Sequence, residues 1–247
     1  MIVVISPAKN MKPEKSITPP KSIPVYIDKT QQIISILRTL TSWDIGSLMH
    51  INEKLALDSM DRFAHMNFDK NGTSAIETYD GIQYKYLNAV SFSEQEKQFA
   101  QDHLRILSGA YGIVKPYDSI YEYRLEMQTK LKIGDYKDLY HFWNWDIYKS
   151  IIRESNTIIN LASTEYSKSV TPYLKDKDNC ITCTFKVMHK GTYKVQATAA
   201  KMARGKMVQY IVKNQVQDPE ELKKFDEDGY RFEETLSTKN NYVFLQN

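Results

Sequence analysis

The sequence predicts an α/β protein with α and β elements mixed: a single compact domain over residues 1–247, with a mixed β-sheet flanked by helices. Runs of β-branched and aromatic residues, bounded by turn formers, are interleaved with apolar stripes of helical period. Only nine glycines occur, too few for a turn-dense all-β chain. No internal repeat and no linker-like stretch divides the polypeptide.

The elements follow in order. Residues 2–5, Ile-Val-Val-Ile, read as a first strand. Five of the eight prolines fall within the first 24 residues, which makes 9–25 an extended excursion. Asp28 is placed to cap a helix carrying Ile33, Ile36, Leu37 and Leu40 on one face. A helix from Asp44 with Ile45, Leu48, Met49, Leu55 and Ala56 on one side, and another from Asp58 to Met66, predict a short helix pair joined at 56–58. Ser93-Glu94-Gln95-Glu96 is a capping box opening a helix that ends near Gly109. Further strands are expected at 120–127, 157–161, 180–188, 193–197, 230–236 and 242–245, with a hairpin turn at 188–192. A helix is expected at 198–212, and Asp218-Pro219-Glu220-Glu221 is another helix-start signal.

Composition excludes several classes. With 42% hydrophobic and 26% charged residues and a net charge of +3, the chain is neither disordered nor collagenous, and it is not basic enough overall to argue nucleic-acid binding by charge alone. Its apolar runs fall well short of the ~20 residues of a membrane span, and Met1 leads straight into the first strand with no signal-peptide pattern. Cys180 and Cys183 are the only cysteines, so no disulfide framework or four-cysteine zinc site is available, and a reducing cytoplasm is the expected compartment. They fall in a strand-like run rather than at a helix start, which favours a structural role over a redox pair. The five histidines are scattered without helical pairing, and phosphate-loop, dinucleotide-binding, nucleophile-elbow and zinc-protease motifs are absent. No metal or cofactor is expected.

Charge distribution is more informative than its sum. Residues 185–217 hold seven Lys/Arg and no acid, whereas 218–234 hold eight acids and three bases. The acidic segment either folds across the basic one or leaves it open for an anionic partner. Polar residues follow two apolar strands: Ser6-Pro7-Ala8-Lys9 after 2–5, and Ser163-Thr164-Glu165-Tyr166 after 157–161, with Asn160 at that strand's end and Lys168 beyond. In an open α/β sheet such loops line the ligand crevice; helix capping by Ser163 or Thr164 is the plainer alternative. In the helix at 198–212, Arg204 lies near an apolar stripe of Ala200, Ala203, Met207 and Ile211, with Lys201 on its flank. A guanidinium there is either ion-paired or turned towards a cleft that holds an anion. Along 121–127, Glu122, Arg124 and Glu126 share one face; if that face lines a crevice, Glu126 is the best general acid or base. The small residues around Ser108-Gly109-Ala110 leave room for a backbone to approach a ligand.

Several of these strings together resemble one family, the YaaA peroxide-stress proteins: Ile5-Ser6-Pro7-Ala8-Lys9; Ile51-Asn52-Glu53-Lys54-Leu55-Ala56 with Arg62-Phe63; Leu104-Arg105-Ile106-Leu107-Ser108-Gly109-Ala110-Tyr111-Gly112; Tyr123-Arg124-Leu125-Glu126-Met127; Lys137-Asp138-Leu139-Tyr140-His141-Phe142-Trp143; Asn160-Leu161-Ala162-Ser163-Thr164-Glu165-Tyr166; and Lys201-Met202-Ala203-Arg204-Gly205. The resemblance implies a monomeric cytoplasmic α/β protein with a positively charged cleft that binds duplex or branched DNA. It also implies a role in surviving hydrogen peroxide by limiting DNA damage and reactive iron. A helix-hairpin-helix-like element comes with the family, and the matching position is the helix pair at 44–66. With no glycine at 56–58 to expose backbone N–H groups, phosphate contact there falls to Lys54 and Arg62.

Two functions from different classes follow. In one, Lys9, Lys54, Arg62, Arg124, Lys168, Lys201 and Arg204 contact DNA phosphates, with Ser6, Asn160 and Ser163 lining the cleft. In the other, the chain is an enzyme acting on a nucleotide or nucleobase, with Glu126 or Glu165 as acid/base and Arg124, Lys201 and Arg204 clamping the anionic part. The first is preferred.

Overall fold

The computed structural model describes residues 1–246. Its strands are β1 (Ile2–Ile5), β2 (Asn10–Met11), β3 (Thr73–Ser74), β4 (Tyr79–Asp80), β5 (Leu104–Ser108), β6 (Gly112–Val114), β7 (Ser119–Ile120), β8 (Thr157–Leu161), β9 (Asn179–His189), β10 (Thr192–Lys194), β11 (Tyr230–Phe232) and β12 (Asn241–Gln246). The α-helices are α1 (Ile27–Leu37), α2 (Ser42–Met49), α3 (Glu53–His65), α4 (Ala75–Thr78), α5 (Ile82–Leu87), α6 (Glu94–His103), α7 (Leu139–Trp143), α8 (Asp146–Ile152), α9 (Thr164–Ser167) and α10 (Ala197–Lys213).

Eight strands form one mixed sheet in the order β11-β12-β9-β8-β1-β5-β6, with β10 folded back on β9. The centre, from β12 to β5, is parallel; β11, β6 and β10 pair antiparallel. Every residue of β1 and β5 is buried, as expected of parallel strands covered on both faces. On β9 the inward residues alternate as Cys183, Phe185 and Val187. Cys180 and Cys183 are free and buried, and burial pushes their thiols up to about 11 and about 12, so both stay protonated. That environment suits packing rather than redox chemistry.

Four local expectations are corrected. The helix opened by the Ser93 capping box stops at His103, because Leu104–Ser108 pairs with β1 as a buried strand. The helix pair breaks at residues 50–52 rather than 56–58: His50 takes a left-handed φ of 53°, and the Asn52 side chain accepts the Leu55 N–H to start α3. Ala56 is then free to sit buried in the α3 interior. The strand expected at 120–127 pairs only at Ser119–Ile120. Beyond it the chain continues without a ladder, yet Tyr123, Leu125 and Met127 are buried while Glu122, Arg124 and Glu126 are not. The small residue expected to admit a ligand instead admits the chain itself, since a Cβ on Gly109 would stand 2.4 Å from the Leu125 carbonyl oxygen.

The topology fixes where a site can lie. From β1 the chain crosses to β5 on one side, whereas from β8 it crosses to β9 on the other. The adjacent loops after β1 and β8 therefore diverge. Ile5 and Leu161 are in register, so a crevice opens beyond the carboxyl ends of these two strands.

Candidate functional site

The loop after β1 and the turn into α9 are tied together at that crevice. The Ser163 N–H donates to Ser6 Oγ at 2.8 Å, the Ser6 hydroxyl donates to Ser163 Oγ at 3.2 Å, and the Tyr84 hydroxyl donates to the Ser6 carbonyl at 2.9 Å. Pairing of Asn10 with Asp80 brings the start of α5 alongside. On the other flank α10 packs on α5 at Gly205, where a Cβ would lie 2.3 Å from the Gln83 carbonyl oxygen. These contacts enclose a cavity of about 270 Å³ lined by Ser6, Lys9, Asp80, Gln83, Tyr84, Glu126, Ser163, Glu165, Tyr166, Lys201 and Arg204.

The acids in the cavity are largely answered. Glu126 pairs with Lys9 at 2.8 Å and lies 3.7 Å from Arg124. Asp80 is held by Lys15 at 2.9 Å and Lys12 at 3.2 Å, and the Lys15 contact draws its carboxyl below the usual range. Glu165 accepts a 3.4 Å bond from the Gln128 N–H; burial foremost, with the Glu126 charge behind it, raises its carboxyl above the usual range.

The cations are not answered in the same way. Neither Lys201 nor Arg204 has an ion-pair partner among the described residues, and Arg204 Nε is buried without a hydrogen bond. Burial lowers the Arg204 guanidinium from its ordinary value, and the group opposing that shift is Cys183, itself a neutral thiol. The acidic segment after residue 217 does fold against α10, but its ion pair there is Glu227 with Lys206 at 3.6 Å, not with Lys201 or Arg204. The crevice is left with a cationic pole at Lys201 and Arg204.

Of the residues singled out by sequence, Ser6, Lys9, Glu126, Ser163, Glu165, Lys201 and Arg204 converge here, with Arg124 beside Glu126. Lys168 lies exposed just past α9. Asn160 is not in the lining: its amide donates to Thr182 Oγ1 at 3.1 Å and its carbonyl accepts the Ala162 N–H at 3.0 Å, fixing the end of β8. Lys54 is exposed on α3, and Arg62 pairs with Glu122 at 3.5 Å in a separate depression. Gln83, which sequence reasoning did not single out, enters from α5 with Nε2 buried and unpartnered.

Glu165→Gln tests this electrostatic picture. A carboxyl raised in the folded state penalises folding once the pH exceeds that raised value, and the penalty vanishes below its unfolded value of about 4.3. The amide variant is expected to be more stable than the parent at neutral pH and to lose that advantage as the pH falls to about 4. Urea midpoints at the two pH values check it.

Fold and site thus define a class: a mixed α/β protein with a crevice at a sheet switch point, lined by Lys201 and Arg204 without ion-pair partners among the described residues. The chain belongs to the YaaA family of peroxide-stress proteins, whose family model, described as peroxide stress protein YaaA, matches residues 1–236. A UPF0246 protein of Clostridioides difficile is 51% identical over 246 residues, covering 100% of both chains. Similar relatives occur in Agathobacter rectalis, at 41% over 250 residues and 99% and 98% coverage of this chain and the relative, and in Pediococcus pentosaceus, at 39% over 247 residues and 100% and 98% coverage. No described helix is long and apolar enough to cross a membrane.

Proposed function

We propose that this peroxide-stress protein binds DNA through its phosphates, with the β1–β8 crevice as the centre of the contact. The observation that carries the reading is Arg204, a largely buried guanidinium with no carboxylate partner facing a cavity. A cation in that position is stabilised by an anion from outside the chain. Exposed Lys201 and Lys168 extend the positive surface, and Lys54, exposed on α3, adds a further cation; none of the three has an ion-pair partner among the described residues. Arg62 and Lys9, held by Glu122 and Glu126, contribute less, because each must first leave a carboxylate.

A second reading, an enzyme acting on a nucleotide-like small molecule, is favoured by Glu165, whose raised pKa inside the cavity suits a proton donor. A salt titration with labelled duplex and four-way junction, in the presence and absence of dAMP, separates the two. Four phosphate contacts by Lys54, Lys168, Lys201 and Arg204 give a log–log salt slope of about −3 to −4 on duplex DNA. Weak, salt-insensitive DNA binding that dAMP displaces contradicts the DNA reading and supports the enzyme, and Glu126→Gln or Glu165→Gln then becomes the test of acid/base chemistry.

A further inference from the structure

We infer that the part of the crevice between α5 and α10 is a seat for a phosphate monoester, formed by Arg204 and Gln83 with exposed Lys201 at its mouth. The inference rests on the phosphate-binding reading above and narrows it to one kind of phosphate. Six buried side-chain N or O atoms lack a hydrogen-bond partner among the described residues; two of them, the N–H groups Gln83 Nε2 and Arg204 Nε, belong to residues lining this cavity, and a third, Arg124 Nε, belongs to the neighbour of lining residue Glu126. Buried donors without acceptors are uncommon in folded proteins, and their clustering at one cavity calls for a ligand rich in acceptor oxygens. Gln83 and Arg204 come from facing helices and line the same cavity, with Gly205 setting how closely those helices approach.

Charge selects among oxyanions. With Asp80 and Glu126 already paired to lysines, the seat presents two cations without an ion-pair partner among the described residues, Lys201 and Arg204. A phosphate monoester carries about −1.5 to −2 at neutral pH, whereas an internal diester carries a single charge. Shape points the same way. A cavity of about 270 Å³ falls just below the small-molecule range of roughly 300–1,000 Å³. It takes a chain end or one nucleotide in full, whereas a continuous duplex backbone presents a single phosphate to Arg204 and otherwise lies along the rim where Lys201 and Lys168 are exposed. The Ser6 and Ser163 hydroxyls line the same cavity as further polar partners for the phosphate or the attached sugar.

Two sources supply this group, the phosphorylated end of a DNA strand and a free mononucleotide. The test compares duplexes identical except for a 5′-phosphate or 5′-hydroxyl, and dAMP against deoxyadenosine, on the full chain and on Gln83→Leu and Arg204→Lys, each checked by thermal melting. Preference for the 5′-phosphate duplex of about tenfold, lost in both variants, supports the seat and identifies a strand end as its source. Binding of dAMP but not deoxyadenosine, lost in both variants while duplex binding ignores the end group, supports the seat with a free nucleotide as its source. Steep salt-dependent duplex binding that is indifferent to the 5′-phosphate, together with no dAMP binding, overturns the seat and leaves the DNA reading standing. Absence of binding to duplex and dAMP alike overturns both. Arg204→Lys keeps the charge and alters only the donor geometry, so loss of fold in Gln83→Leu does not leave the question open.

Discussion

Arg204→Ala lowers affinity for duplex DNA by about 10- to 100-fold, because a hydrogen-bonded charge contact is worth roughly 1.5–3 kcal/mol. The log–log salt slope becomes shallower by about one unit as one phosphate contact disappears. Stability moves the other way from that of an ordinary ion-pair deletion. No carboxylate is orphaned by the change, and the desolvation that depresses the Arg204 guanidinium is relieved. The melting temperature therefore stays level or rises. Lys206→Ala, which removes the partner of Glu227 on the same helix, serves as the control and leaves DNA affinity unchanged. Fluorescence anisotropy and thermal melting on the two variants check both halves of the prediction; a destabilised Arg204→Ala with intact affinity returns the residue to a structural role.

Gly205→Ala has the largest expected effect on stability. The added Cβ would stand 2.3 Å from the Gln83 carbonyl oxygen and 2.9 Å from Tyr86 Cβ, and a backbone oxygen cannot swing away as a side-chain tip can. Relief requires α5 and α10 to separate, an overpacking cost of about 3 kcal/mol. For a chain of this size that lowers the melting temperature by roughly 6–12 °C. Because Gln83 and Arg204 sit on the two helices being pushed apart, DNA affinity falls as well, although no phosphate-contacting side chain has changed. Calorimetry and anisotropy on the same preparation measure the two effects together.

Much of the site was legible because it sits where parallel-sheet topology puts ligands. Ser6 to Lys9 follow a fully apolar strand and Ser163 to Tyr166 a largely apolar one, and an apolar run that gives way to polar residues marks a strand's carboxyl end. Arg204 stood out because a guanidinium interrupts the edge of an apolar helical stripe. The alternation at 121–127 correctly separated Tyr123, Leu125 and Met127 from Glu122, Arg124 and Glu126, although the segment joins no ladder, since alternation reports burial rather than strand pairing.

What escaped the sequence was decided by tertiary packing. Gln83 lies on a six-residue helix that starts at Gly81 without a capping side chain, and it matters only because α10 settles against it at Gly205. The break between α2 and α3 was misplaced because Asp58 is a good cap in isolation, whereas the cap actually used is Asn52 after a left-handed His50. Asn160 carried the residue type of a cleft-lining group, but Thr182 on the neighbouring strand and the Ala162 N–H take both ends of its amide. Neither partner is deducible without the β8–β9 register.

The central claim, that anions bind in the crevice between the ends of β1 and β8, is tested most directly by amide hydrogen exchange of the full chain with and without a saturating short duplex. Slower exchange is expected at residues 6–10, 81–84 and 163–168, the three segments that meet around Arg204. Unchanged exchange in those segments while the duplex is bound, with protection confined to α2 and α3, would contradict the account and place the contact on the helix pair instead.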